Sequence, residues 1–148
     1  MSKIVQAFLS GLLITFILDF FLFLGIFENY IKAKEIEVYY NILFADHQNI
    51  IIFLLFTLIL GYITIYKSTK LSLIVIGFLS LLSLSTLISP IGNSLGEVLL
   101  MKSDVEIHMS KYSYKGDILY NGRDKVTFYD YNFKKVLNLD KNKIIGEY

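Results

Sequence analysis

Asp19 is the residue of this 148-residue chain whose type and position are best suited to chemistry. It interrupts an otherwise uncharged apolar run from Ile4 to Phe27, and the chain's three apolar runs contain no Lys, Arg or His. A carboxyl group at membrane depth is costly unless it is protonated, hydrogen-bonded to neighbouring helices or paired with a base. Each of these states implies a different function, so the functional question begins at Asp19.

Hydroxyl side chains occur at matching depths of the other two apolar runs. Counting residues from the ends of the runs brings Thr57 and Thr86 to the level of Asp19, with Ser85 beside Thr86. Thr15 lies one turn before Asp19 on the same helix face. The sequence therefore predicts an intramembrane polar layer of these five residues, in which each hydrogen bond contributes about 0.5–2 kcal/mol.

Three roles for Asp19 follow from this prediction. A protonated Asp19 would bond to the hydroxyls and fix the helix register, whereas an ionised Asp19 would meet a basic or polar group on another membrane protein. The third role is proton or ion conduction. Three spans with one acid and no series of relay groups make a poor self-contained transporter, so conduction would require an oligomer.

Small residues mark positions where helices can approach closely. Ala7 and Gly11 are four residues apart in the first run, and Gly77 and Ser80 lie in the third. We predict that these four are helix-packing positions. The GxxxG pair Gly92 and Gly96 follows Pro90, so it fits either a bend or a dimer face.

Composition excludes several kinds of chemistry. The chain has no Cys, and its two histidines lack the spacing of metal ligands, so we predict neither a metal nor a cofactor. No nucleophile or phosphate-binding motif occurs, which argues against an enzyme. A net charge of +1 without long basic runs argues against nucleic acid as a partner.

The apolar residues define the predicted fold class, which is a membrane α+β protein. With 55% hydrophobic residues and a mean hydropathy of +0.57, the chain is too apolar for a soluble domain. The first run is too long for a signal peptide and lacks a cleavage site, so it is predicted to be retained. The predicted transmembrane domain is residues 1–101. Its three spans are 4–27, 50–66 and 71–90, residues 28–49 form an interfacial loop, and residues 91–101 form a broken extension.

Residues 102–148 are predicted to form a small extramembrane β domain. Apolar and polar residues alternate from Val105 to Met109 and again around Val126, which is typical of strands. Turn sequences at 121–124 and 140–143 indicate recurring hairpins, so four or five antiparallel strands should form a meander. In the loop 28–49, the pattern favours an interfacial helix over an exposed strand.

The predicted function is a non-enzymatic accessory, stabilising or assembly subunit of a larger bacterial membrane complex. Asp19 and the small-residue helix surfaces would bind another integral membrane protein, with membrane lipid and a possible homo-oligomer as further partners. The alternative is a proton-coupled transport or channel component in which Asp19 titrates. The positive charges near the span ends are almost balanced, so the inverted topology stays open. The two lysines of the short 67–70 turn favour an inner-membrane orientation with the amino terminus inside and the β domain outside.

Overall fold

The structure is a computed structural model that describes residues 2–109 and 112–145. Five α-helices precede a β-sheet, and a π-helical turn, Phe27–Ile31, continues the first helix. The helices are α1 (Lys3–Ile26), α2 (Tyr40–His47), α3 (Ile50–Tyr66), α4 (Thr69–Ser85) and α5 (Ser89–Leu100).

Side chains that suit helix N-termini begin three of the helices. The Asn49 side chain accepts hydrogen bonds from the backbone N–H groups of Ile51 and Ile52 at the start of α3. Ser2 and Ser68 cap α1 and α4 in the same way. Pro90 stands in the first turn of α5, where its missing N–H costs nothing, so a new helix begins there instead of α4 continuing.

One helix, Lys3–Ile31 with its π-helical turn, is long and apolar enough to cross a membrane. The other candidates are bent pairs: α2 and α3 meet at 83°, and α4 and α5 meet at 87°. The described residues thus contain one clear spanning helix, or three if each bent pair counts as one span.

Helix α1 is the central helix of a three-helix layer. It contacts both α3 and α4 more extensively than those two contact each other. A short turn joins α3 to α4, and there the Ser72 hydroxyl donates to the Ile63 carbonyl at 2.8 Å. Helix α5 crosses the far end of α1, where Gly96 lies against the Tyr30 ring and Gly92 against the Gly25 carbonyl. This glycine pair packs within the chain.

The predicted antiparallel sheet is confirmed and has five strands in the order β4-β3-β2-β1-β5. The first four strands form the expected meander, but the expected hairpin between the last two is wrong. Strand β5 follows β4 after only three residues and pairs with β1 at the opposite edge, so the sheet is curled. The strands are β1 (Lys102–Met109), β2 (Ser113–Asn121), β3 (Lys125–Asp130), β4 (Lys135–Asp140) and β5 (Ile144–Ile145).

Two apolar cores result from this arrangement. One fills the curled sheet and includes Ile118 and Phe128. The other joins the end of α1 to α2, α5 and the sheet, and the buried Tyr30 hydroxyl donates to the Leu119 carbonyl at 2.8 Å within it. The loop 28–49 enters this second core, and only Tyr40–His47 of it is α-helical, while residues 36–39 have no regular secondary structure.

Candidate functional site

Asp19 lies at the end of the three-helix layer. Three contacts of helix α1, two with the antiparallel helix α3 and one with Gln48 just before it, show how deep Asp19 lies within the layer. The Ala7 carbonyl is close to Gly61, the Thr57 carbonyl is close to Gly11, and the Gln48 side-chain amide donates to the Asp19 carboxylate at 3.1 Å. Asp19 is therefore level with the residues that precede α3, and not deep within the layer.

The predicted position of Thr57 is wrong. Thr57 packs beside Gly11, about two helical turns from Asp19, and its buried hydroxyl has no hydrogen-bond partner in the described part of the chain. The sequence count assumed that the ends of the apolar runs are level. In the structure α1 continues past the layer into the second core, which shifts the register.

The hydroxyls of α4 bond to backbone carbonyls and not to Asp19. The Thr86 hydroxyl donates to the Ser83 carbonyl and the Ser85 hydroxyl to the Leu82 carbonyl, both at 2.7 Å. Ser83 donates in turn to the Leu18 carbonyl of α1. The predicted hydrogen bonds between Asp19 and this set are therefore absent among the described residues, although these hydroxyls tie α4 to α1 locally.

A groove with a volume of about 470 Å³ opens between α3 and α4, with α1 as its floor. Four of the five predicted layer residues line it, namely Asp19, Thr15, Ser85 and Thr86, and Thr57 does not. Thr15 is only 2% exposed, and its hydroxyl is without a partner in the described residues. The remaining wall is mostly apolar: Leu18, Leu22, Ile52, Phe53, Phe56, Leu79, Leu82, Ile91 and Leu95.

Asp19 is the only ionisable side chain of this groove among the residues described. It is partly exposed, and the sole hydrogen bond found for its carboxylate in residues 2–109 and 112–145 comes from the neutral Gln48 amide. The ion pairs of the same ranges all involve other acids. The groove therefore combines apolar walls with one carboxylate at the end where the helices bend.

The predicted helix-packing residues fall into two groups. Ala7 and Gly11 are buried between α1 and α3, and an added Cβ at Gly11 would lie 1.9 Å from the Thr57 carbonyl oxygen. Gly77 is exposed with no atom within 4 Å of an added Cβ, and Ser80 is half-buried. The first pair thus packs inside the chain, whereas the surface around Gly77 has no neighbour among the residues that the structure describes.

Sequence reasoning missed Gln48 and the Asp46–Arg123 ion pair. Gln48 lies just before Asn49, the N-cap of α3, and a glutamine in such a short connection is usually an exposed loop residue. Its position therefore gave no sign of a contact with Asp19. The Arg123 guanidinium bonds both oxygens of Asp46, with its Nε 2.9 Å from one of them, and so ties α2 to the β2–β3 turn. The two residues are far apart in sequence, so no local pattern could reveal this contact.

The described residues contain no group of three His, Cys, Asp or Glu side chains that could hold a metal ion. Comparison with family models, curated proteins and solved structures finds no match to this chain. The argument for function therefore depends on the groove itself.

Proposed function

We propose that this protein is a non-enzymatic accessory, stabilising or assembly subunit of a larger bacterial membrane protein complex. The observation that carries the proposal is the Asp19 groove, an apolar concavity with one carboxylate for which the described chain supplies no cation. Such a carboxylate is expensive in a membrane environment and favours a partner that completes its bonding. A neighbouring membrane protein would do this.

The exposed surface of α4 supports the same proposal. Gly77 and Ser80 leave this helix thin on part of its outer surface, which permits close approach by another helix. In a membrane, helix association depends on such packing and on interhelical hydrogen bonds, because lipid is as apolar as the side chains. The Asp19 groove and the Gly77 surface lie on different sides of α4, so they would be two separate contact surfaces for partner helices.

The membrane arrangement that fits this role has three spans. Helices α3 and α4 have 17 residues each and are therefore about 26 Å long, close to the roughly 30 Å thickness of bilayer hydrocarbon. On this arrangement α2 and α5 lie along the surface beyond the bends, and Asp19 lies near the boundary. We propose a bacterial inner membrane with the amino terminus inside and the sheet outside.

Substitution of Asp19, combined with mild-detergent purification from native membranes and mass spectrometry, tests the proposal. We expect Asp19→Leu to abolish co-purification of the partner, because an apolar side chain can neither accept a hydrogen bond nor pair with a base. A photo-crosslinking residue at Leu79, which lines the groove, should join the partner covalently. The same residue at Leu13, which is exposed on α1 and lies outside both the groove and the Gly77 surface, is the matched control.

Retention of the partner by Asp19→Leu, with equal crosslinking from both positions, would contradict the proposal. The transport alternative makes a different prediction. If Asp19 titrates during proton-coupled transport, Asp19→Asn should leave the complex intact and eliminate proton-linked activity. The amide side chain still forms hydrogen bonds, but it does not gain or lose a proton near neutral pH. The same variant series therefore separates the two functions.

A further inference from the structure

The shape of the groove limits how a partner helix can use it. Its walls come from α3, α4 and the start of α5, and α1 forms its floor. Since α3 and α4 meet near their connecting turn, a partner helix would enter at the Asp19 end and not along the full length of the layer.

The chemistry of the groove changes along its length. Leu79, Phe53 and Phe56 are among its apolar wall residues, and Asp19 supplies its one carboxyl group among the described residues. A Lys or Arg side chain has the complementary profile, because its methylene stem packs on apolar surface while its charged end reaches a polar group. A neutral polar side chain of similar length would leave the carboxylate without a counter-charge.

Asp19 has room for such a bond. Gln48 donates to one carboxylate oxygen, and the other oxygen accepts no hydrogen bond within residues 2–109 and 112–145. Among these residues, every ion pair of Lys or Arg involves a different acid. The described residues therefore do not supply the charge that would complete the site.

We infer that the groove receives a basic side chain, Lys or Arg, located within the last two turns of a transmembrane helix of the partner. This inference rests on the proposed subunit function and specifies the partner's chemistry. The position near the end of the partner's helix follows from the depth of Asp19, which is level with the residues that precede α3. At that depth the cation also lies near the membrane boundary, where its desolvation is less costly.

Synthetic transmembrane peptides test the inference without knowledge of the partner. The probe is a Leu/Ala peptide of about 20 residues with one Lys in its last two turns, and the control carries Met, an uncharged side chain of similar length, at that position. Binding is measured by energy transfer between a labelled peptide and the full chain in nanodiscs. We expect about tenfold tighter binding of the Lys peptide to the wild type.

Variants at Asp19 provide the matched controls. Asp19→Asn should remove the preference for Lys, and Asp19→Glu should retain it, because only the second keeps the negative charge. Asp19→Lys should reverse the preference toward a peptide with Glu at the test position. If Asp19→Asn fails to fold in nanodiscs, the other two variants still test the inference. Binding of the Lys peptide by Asp19→Glu and preference of Asp19→Lys for the Glu peptide would support it, and loss of either result would contradict it.

The outcomes distinguish this inference from the proposed function. Equal binding of the Lys and Met peptides, together with partner loss on Asp19→Leu but not on Asp19→Asn, overturns the basic side chain and leaves the subunit function standing. A phospholipid retained in native mass spectrometry by the wild type, absent from Asp19→Asn and not displaced by the Lys peptide, overturns the inference in favour of lipid. Absence of partner and of peptide binding overturns both proposals.

Discussion

The bidentate ion pair between Asp46 and Arg123 connects the short helix α2 to the sheet. The hydrogen bonds from Arg123 hold the pKa of the Asp46 carboxyl below its usual range. A carboxylate with a lowered folded-state pKa stabilises the fold above its unfolded-state pKa, near 3.9, and this stabilisation disappears as pH falls through the folded-state value. The contact is thus a source of acid sensitivity.

Asp46→Asn should accordingly lower the melting temperature of the purified protein at neutral pH. The difference from the wild type should persist down to about pH 4 and shrink below it, because the wild-type carboxyl then takes up a proton and loses its charge. Thermal unfolding in detergent between pH 2 and pH 8 measures this. A difference that stays constant across the whole range would mean that the ion pair does not contribute.

Tyr30 offers a second residue-level prediction, because its buried hydroxyl is the hydrogen-bond donor to Leu119 in the core shared by helices and sheet. Tyr30→Phe removes the donor and leaves a buried carbonyl without this partner, which should cost about 1–3 kcal/mol. Tyr39→Phe is the control, since Tyr39 is 77% exposed. Equal denaturant midpoints for the two variants would show that the bond is not stabilising.

Among the helices, the close approach of α1 and α3 depends on glycine at two positions. A Cβ added at Gly11 would lie 1.9 Å from the Thr57 carbonyl oxygen, and a Cβ added at Gly61 would lie 2.1 Å from the Ala7 carbonyl oxygen. Backbone atoms cannot move aside without separating the helices. The interface between α1 and α3 therefore tolerates no larger side chain at these two positions, in contrast to the outer surface of α4 at Gly77.

Gly61→Ala should therefore destabilise the isolated protein by about 1–3 kcal/mol, the usual cost of overpacking. Gly77→Ala should be neutral or stabilise it by up to about 1 kcal/mol, because alanine is the better helix former and nothing in the described structure obstructs its Cβ. Unfolding in detergent compares the two. Similar destabilisation by both would contradict the packing described for α1 and α3.

Gly77→Leu extends this comparison to the complex. We expect it to leave the unfolding of the isolated chain nearly unchanged but to reduce co-purification of the partner, because a bulky side chain would block close approach of a second helix. Leu13→Ala, at an exposed position of α1, is the control for a change away from the small-residue surface. Unaltered partner recovery with Gly77→Leu would exclude this surface from the interface.

For the whole molecule, the arrangement of spans determines which parts lie on the same side of the membrane. In the proposed three-span arrangement, the amino terminus and the α3–α4 turn would lie on one side of the membrane, and the loop 28–49 and the sheet on the other. The contacts of the second core agree with this division, since residues from 36 to 43 pack with Leu119 and Tyr120 of the sheet.

Single cysteines introduced into this cysteine-free chain test the arrangement directly. With a membrane-impermeant maleimide added to intact spheroplasts, Asn132→Cys in the β3–β4 turn should be labelled. Ser68→Cys in the α3–α4 turn should be labelled only after the membrane is opened. Labelling of both residues before opening would contradict three spans, and a reversed pattern would invert the proposed orientation.

Local sequence patterns determined much of this architecture. The long apolar runs predicted the helices, and the period-two alternation from Val105 predicted the strands. Both patterns are local, because the spacing of apolar residues along one segment shows which of its faces is buried. The small residues Ala7 and Gly11 similarly pointed to close helix packing, although not to its partner. The isolated carboxyl at Asp19 was also visible without coordinates.

Only the tertiary structure decided the register between the elements. It put Gln48 and not Thr57 beside Asp19, paired β5 with β1 and not with β4, and joined Asp46 to Arg123. Each of these contacts depends on how far α1 extends past the helical layer or how strongly the sheet curls. Such quantities are set by the summed packing of residues distant in sequence, so no single segment encodes them.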